Sequence, residues 1–244
     1  TFLNPSDEAA QMTVADLLQQ AEQNQAALDV LNAMPVKGAY APIVRSNQAA
    51  IYSAIGQKTA ALDMLAASAN APQATVEDWA RYGDVLRDLE RFPEAVAAYD
   101  KAIALQDKRP AANWQLFFLR GTALERKGDW TAAEADLRKA LTLSSDQAII
   151  LNYLGYSLLD RGLRLDEAQG LIAKAHELKP DDGYITDSLG WAYFRAGRYA
   201  DAVRLLEAAF IMVPEDATVG EHLGDAYWRA GRRLEARHRW QGAL

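Results

Sequence analysis

The sequence predicts an all-α protein built as a stack of about seven helical hairpins, and three observations carry that expectation. Composition is the first: 47 Ala and 30 Leu stand against 28 Val, Ile and Thr together, a bias toward strong helix formers and away from strand formers. Spacing is the second. Gly83, Gly121, Gly155, Gly190 and Gly224 follow one another at 38, 34, 35 and 34 residues, and a period in that range marks an architecture in which each unit is one supersecondary hairpin. The third is that the same kinds of residue recur at the same offsets around each glycine.

When each unit is numbered so that this glycine is position 8, the elements follow in order. The segment 8–41 puts Ala15, Leu18, Ala27 and Leu31 in register but has no turn glycine, and Pro35 arrives early. It is expected to be a degenerate first repeat or a capping hairpin. Unit 42–75, opening at Pro42, has Ala49 in the glycine place, Tyr52 at position 11, Gly56 in the turn, Ala61 at position 20 and Leu65 at position 24, and it ends early at Asn70 to Pro72. Unit 76–113 carries Trp79, Tyr82, Gly83 and Leu86, then Phe92, Ala95 and Ala102, with four extra residues in the stretch Asp107 to Ala112. Unit 114–147 has Arg120 at position 7, then Gly121, Leu124, Gly128, Trp130, Ala133 and Ala140. Unit 148–182 has Leu154, Gly155, Leu158 and Gly162, and an extra turn residue makes Ala168 and Ala175 come one place late. Unit 183–216 repeats the pattern with Leu189, Gly190, Tyr193, Gly197, Tyr199, Ala202 and Ala209. Unit 217–244 does so with Leu223, Gly224, Tyr227, Gly231, Ala236 and Ala243, Trp240 standing at the core position 24.

Each recurrent residue has a physical reason. Positions 4, 7, 8 and 11 form one stripe at helical spacing. A glycine or alanine where helix A crosses helix B lets two backbones approach closely while larger neighbours fill the groove. The turn glycines stand where a helix C-terminus favours a left-handed residue. Pro180 and Pro214 close their units because proline does not continue a helix interior.

This grammar resembles the tetratricopeptide repeat, a helix-turn-helix unit with Leu-Gly at positions 7 and 8, Tyr at 11, Ala at 20 and 27 and Pro at 32. The stretches LGYSLLDRG, LGWAYFRAGRYADAV and LGDAYWRAGRRLEA carry the likeness. The resemblance implies one right-handed superhelical solenoid over residues 1–244, acting as a non-catalytic interaction scaffold. More narrowly, the last 60 or so residues look like the C-terminal repeats of longer bacterial tetratricopeptide proteins, some of them lipoprotein scaffolds for carboxyl-terminal processing proteases. That likeness implies the periplasm ahead of the cytoplasm, with a lipid anchor on a removed N-terminal segment.

Composition excludes several function classes. A formal charge of −7 argues against sequence-independent nucleic-acid binding, which needs a basic surface. No apolar run reaches the roughly 20 residues that span a bilayer, and with no cysteine there is no thiol catalysis and no cysteine-bound zinc. The three histidines, His176, His222 and His238, lie in different repeats and form no metalloprotease-type pair. His222 reads as a surface histidine. No enzyme activity, metal or cofactor is expected.

Positions 5, 9 and 12 of helix A form a second stripe about 100° around the helix from the core stripe, which in the family lines the concave groove. In the last three units it reads Asn152, Tyr156 and Leu159, then Asp187, Trp191 and Phe194, then Glu221, Asp225 and Trp228. Aromatic anchors ringed by polar groups are what peptide interfaces are built from. Asn152 is expected to hydrogen-bond a bound main chain, and Arg195 and Arg229 at position 13 to pair with carboxylates at the groove edge. Trp191 and Trp228 have a competing role, packing on the next repeat, and their truncation is expected to weaken binding with little change in melting. Positions 5 and 9 carry no lysine, whereas Asp84, Asp187 and Asp225 fall there, so the partner is expected to be a mixed apolar and basic protein segment. Self-association through an exposed repeat end and non-catalytic activation of a partner enzyme such as a protease are the alternatives. The finish at Leu244 motivates the first of these, whereas the arginine-rich stretch Arg229 to Trp240, set against the acidic first 40 residues, is expected to be the solvated outer face of a terminal repeat ahead of a dock for an acidic partner or lipid headgroups.

Overall fold

The computed structural model describes residues 8–34, 41–106 and 114–242. These fold into fourteen helices: α1(Glu8–Gln20), α2(Asn24–Ala33), α3(Ala41–Ala54), α4(Lys58–Ala69), α5(Val76–Asp88), α6(Phe92–Leu105), α7(Trp114–Lys127), α8(Trp130–Leu143), α9(Ala148–Asp160), α10(Leu165–Leu178), α11(Gly183–Arg195), α12(Tyr199–Met212), α13(Ala217–Arg229) and α14(Arg233–Gly242). Odd-numbered helices are the A helices of the repeats and even-numbered ones the B helices. The chain divides into two compact units, 1–136 and 137–244, the division falling inside α8. Pro35, the insertion from Asp107 to Ala112, Ala243 and Leu244 lie outside the described residues, as does the side chain of Pro42.

Every hairpin turn is closed in the same way. The amide of Gln23 donates to the carbonyl of Leu18, Gln57 to Tyr52, Arg91 to Leu86, Asp129 to Leu124, Leu163 to Leu158, Arg198 to Tyr193 and Arg232 to Tyr227, at 2.7 to 2.9 Å. Each bond joins the residue just past a left-handed position to the carbonyl five residues back, the pattern that satisfies a helix's last acceptors. Gly56, Gly128, Gly162, Gly197 and Gly231 supply the left-handed position, with φ between +66° and +94°. Glu22 at φ +59° and Glu90 at φ +58° occupy it in the two hairpins without a glycine. The first hairpin, degenerate in sequence, therefore closes as the others do. The extra residue of unit 148–182 is absorbed next to its turn by Arg164, also left-handed at φ +43°.

A side chain in that conformation is strained, and the exposed ion pair between Glu90 and Arg126 at 3.9 Å offsets little of the cost. Glu90→Gly is thus expected to raise stability by about 0.5 kcal/mol, strain relief exceeding the entropy lost to a freer unfolded chain. Gly197→Ala should lower it by about 1 kcal/mol. Chemical denaturation of both variants reads the two signs directly.

The starts of the A helices α5, α11 and α13 are fixed locally too. Thr75 and Asp78 form a reciprocal capping box on α5, the Asp182 carboxylate accepts from the amides of Tyr184 and Ile185 at the start of α11, and Asp216 accepts from Val219 at the start of α13. Such caps satisfy amides that have no partner inside the helix.

The core lies where A meets B, and the small-residue rule acquires a partner position. A methyl group on Gly83 would sit 2.7 Å from the Tyr99 ring, on Gly155 2.7 Å from Ile172 Cγ1, and on Gly190 2.7 Å from Leu206 Cγ; on Gly224 it would run into the Trp240 indole. All four contacted residues stand at position 24, one place late in the unit with the longer turn. Glycine at 8 is thus the socket for a large side chain at 24. The alanines at positions 20 and 27 that fall among the described residues, Ala27, Ala61, Ala95, Ala133, Ala168, Ala202 and Ala236 with Ala102, Ala140, Ala175 and Ala209, are fully buried.

Candidate partner-binding groove

The second stripe of the last three A helices lies within the unit 137–244, and neighbouring A helices bury more of it than the sequence suggests. Leu159 is fully buried, and the Asp187 carboxylate is buried while accepting from His222 Nδ1 at 2.9 and 3.1 Å. A carboxylate acceptor fixes the Nδ1-protonated tautomer of that ring. His222, expected at the surface, is instead buried on α13; its partner stands 35 residues earlier, on α11. One repeat length separates them, a relation that becomes visible only when the repeats are stacked.

Trp191 is sandwiched. It lies parallel to Phe194 at 4.5 Å between ring centroids and to His222 at 4.1 Å, so both ring faces are occupied and only its edge is open. This favours the packing role, and the expectation that its truncation spares the melting temperature is revised. Asp225 accepts from Trp240 Nε1 at 3.2 Å. Arg229 is hydrogen-bonded to the Tyr199 hydroxyl and lies over its ring at 4.7 Å, which engages it within the fold. Trp240 packs into the core of the last hairpin.

Asn152, Tyr156, Arg195, Trp228 and the exposed Glu221 are the members of the stripe and its edge left to a partner. The Asn152 Oδ1 atom is buried and has no hydrogen-bond partner among the described residues. Tyr156 is half-buried, and its burial, followed by the nearby Asp187 charge, raises the phenol pKa above its ordinary value, so the hydroxyl stays a donor. Arg195 is exposed. Trp228 keeps 41% of its surface exposed although Trp240 tilts against it at 5.6 Å and Arg233 lies over its ring at 5.2 Å.

Among the described residues, no group of three or more His, Asp and Glu side chains is placed to hold a metal ion, and no helix is long and apolar enough to cross a membrane. His176 stands 3.3 Å from the Thr186 hydroxyl and His238 is exposed.

These hairpins, with their common turn and their socket at position 8, define a helical-repeat protein. The family model described as tetratricopeptide repeat matches residues 81–148, 118–183 and 188–243, more than half of the chain, and the chain belongs to that family. Among curated proteins, TPR repeat-containing protein PA4667 of Pseudomonas aeruginosa is 46% identical over 94 residues, which are 38% of this chain and 16% of that relative. Among solved structures, the C-terminal part of a TPR repeat-containing protein from Cytophaga hutchinsonii matches with a TM-score of 0.63 at 19% identity, covering 96% of this chain and 94% of that one. YrrB, described as a TPR protein with an unusual peptide-binding site, matches with a TM-score of 0.55 at 19% identity over 73% of this chain and 90% of its own. Likeness at that identity concerns the fold alone.

Proposed function

We propose that the chain is a protein-interaction scaffold that holds an extended peptide segment along the A helices α9, α11 and α13. The observation that carries this reading is the Asn152 amide: a buried acceptor without a partner is costly, and a bound peptide N–H would satisfy it. The Tyr156 hydroxyl adds a donor, Arg195 a cation at the edge, and Trp228 the exposed apolar anchor. A preformed groove loses little freedom on binding, which suits a repeat array in which each unit is held by its neighbours.

The test is a peptide selected by display against the whole chain and measured by calorimetry. Asn152→Ala and Trp228→Ala are each expected to weaken it about tenfold, the loss of one well-made contact, with melting unchanged. Trp191→Ala is expected instead to lower the melting temperature. Wild-type affinity in both of the first two variants would remove the groove from consideration.

A further inference from the structure

The same stripe in the unit 1–136 is built differently. Positions 5, 9 and 12 of α3 are Ser46, Ala50 and Ser53, small residues on one helix face where the C-terminal repeats carry Trp191, Phe194 and Trp228. Small side chains there leave a cavity of about 220 Å3 between α3 and α5, with Leu65 of α4 at its base. Its walls are apolar at Ala49, Leu65 and Val85. Its polar groups are unusual: the hydroxyl oxygens of Ser46 and Ser53 are both buried and neither has a hydrogen-bond partner. Serine in a helix readily bonds the carbonyl one turn back; these two buried hydroxyls lack any partner although they belong to residues that line the cavity, and a turn about Cα–Cβ would present them to an occupant.

Opposite them stands Asp84 of α5. Its Oδ1 accepts from the Tyr99 hydroxyl at 2.7 Å, and Arg87 approaches the same oxygen only to 3.9 Å. Oδ2 has no hydrogen-bond partner among the described residues, and 38% of the side-chain surface is exposed. Burial, the leading influence, raises the Asp84 pKa above the usual value, the mark of a carboxylate short of compensating positive charge. Asp88 adds a second carboxylate to the lining and Arg81 a single cation. The corresponding carboxylate in the last repeat, Asp225, receives the Trp240 indole N–H.

We propose that this cavity is a binding site for a lysine side chain of a partner protein. Four methylenes lie along Ala49, Leu65 and Val85, and the ammonium donates to Asp84 Oδ2 and to the Ser46 and Ser53 hydroxyls after rotation about their Cα–Cβ bonds. An ammonium has three donors and no acceptor, which matches three acceptors around one apolar slot. The site is separate from the groove of α9, α11 and α13, and stands or falls without it.

The experiment is methyl NMR on the whole chain, following Ala49, Leu65 and Val85. The probes are the blocked tripeptide Gly-Lys-Gly and its analogue with norleucine, which keeps the apolar stem and lacks the ammonium. The lysine peptide is expected to shift these methyl signals saturably, and the norleucine peptide to bind at least about tenfold more weakly, the effect of losing hydrogen bonds to a charged group. Asp84→Asn still offers Tyr99 an acceptor and removes a carboxylate whose raised pKa makes its ionised form a burden above that pKa, so it is expected to fold; it should weaken the lysine peptide by a similar factor. Ser46→Ala with Ser53→Ala should weaken it while leaving melting unchanged or raised. Absence of saturable shifts, equal binding of the two peptides, or wild-type affinity in either variant would each overturn the proposal.

Discussion

Gly155→Leu is expected to lower the melting temperature by about 10 °C, corresponding to about 3 kcal/mol in a chain of this size. The added Cβ alone would stand 2.9 Å from the Ala168 carbonyl oxygen and 3.2 Å from the Ile172 amide nitrogen. Those are backbone atoms of α10, so the helix itself has to move, and the remaining atoms of leucine enlarge the displacement. Alanine substitutions rank the sockets. At Gly190 the three atoms nearest to a methyl belong to side chains, Cγ and Cδ2 of Leu206 and Cβ of Leu205; a rotamer change of Leu206 relieves the two shortest contacts, and the better helix propensity of alanine, about 1 kcal/mol, offsets much of the crowding. Gly155→Ala should therefore destabilise more than Gly190→Ala. Circular dichroism melts of the three variants read the order directly, and a Gly155→Leu protein melting as the wild type does would mean that α9 and α10 do not meet there.

Arg120→Leu is expected to cost about 3 kcal/mol, although it restores the residue that the family pattern has at position 7. The guanidinium makes two bonds to the Asp136 carboxylate, at 2.6 and 2.8 Å, and a third to Asp100 at 2.6 Å. Asp136 is only 7% exposed, so removal of its partner leaves a carboxylate desolvated and uncompensated. The hydrogen bonds to Asp136 and Asp100 also hold the guanidinium pKa above its usual value. Combining Arg120→Leu with Asp136→Leu should recover most of the loss, since well-packed apolar pairs replace buried ion pairs at little cost. A double-mutant cycle by urea denaturation measures the coupling. A single variant at least as stable as the wild type would show that the network is a surface ornament.

The site was only partly legible beforehand. Helical periodicity alone identifies which residues share a face, and it sets the stripe of Asn152, Tyr156 and Trp228 apart from the core stripe. It does not reveal how far the next A helix covers that face. Asp187 and His222 read as a groove acid and a surface histidine because their partnership spans a repeat, and no local pattern encodes that distance. Ser46 and Ser53 drew no attention because serine on an amphipathic helix is ordinary; only stacking α5 against α3 makes their hydroxyls conspicuous.

What the sequence determined by itself was the repeating unit: helices from composition and period, turns from glycine, close crossings from small residues at fixed offsets. These are local or nearest-neighbour properties, and a repeat protein is stabilised largely by such terms, so they survive without knowledge of the whole. The tertiary structure alone decided which polar groups are spent inside the fold and which are left over. Glu22 and Glu90 adopt the left-handed turn without glycine because the packed hairpin overrides their local preference. Arg120 is tolerated in the core because two carboxylates from α6 and α8 converge on it, and the stripe residues divide into engaged and open according to what the neighbouring repeat brings to them.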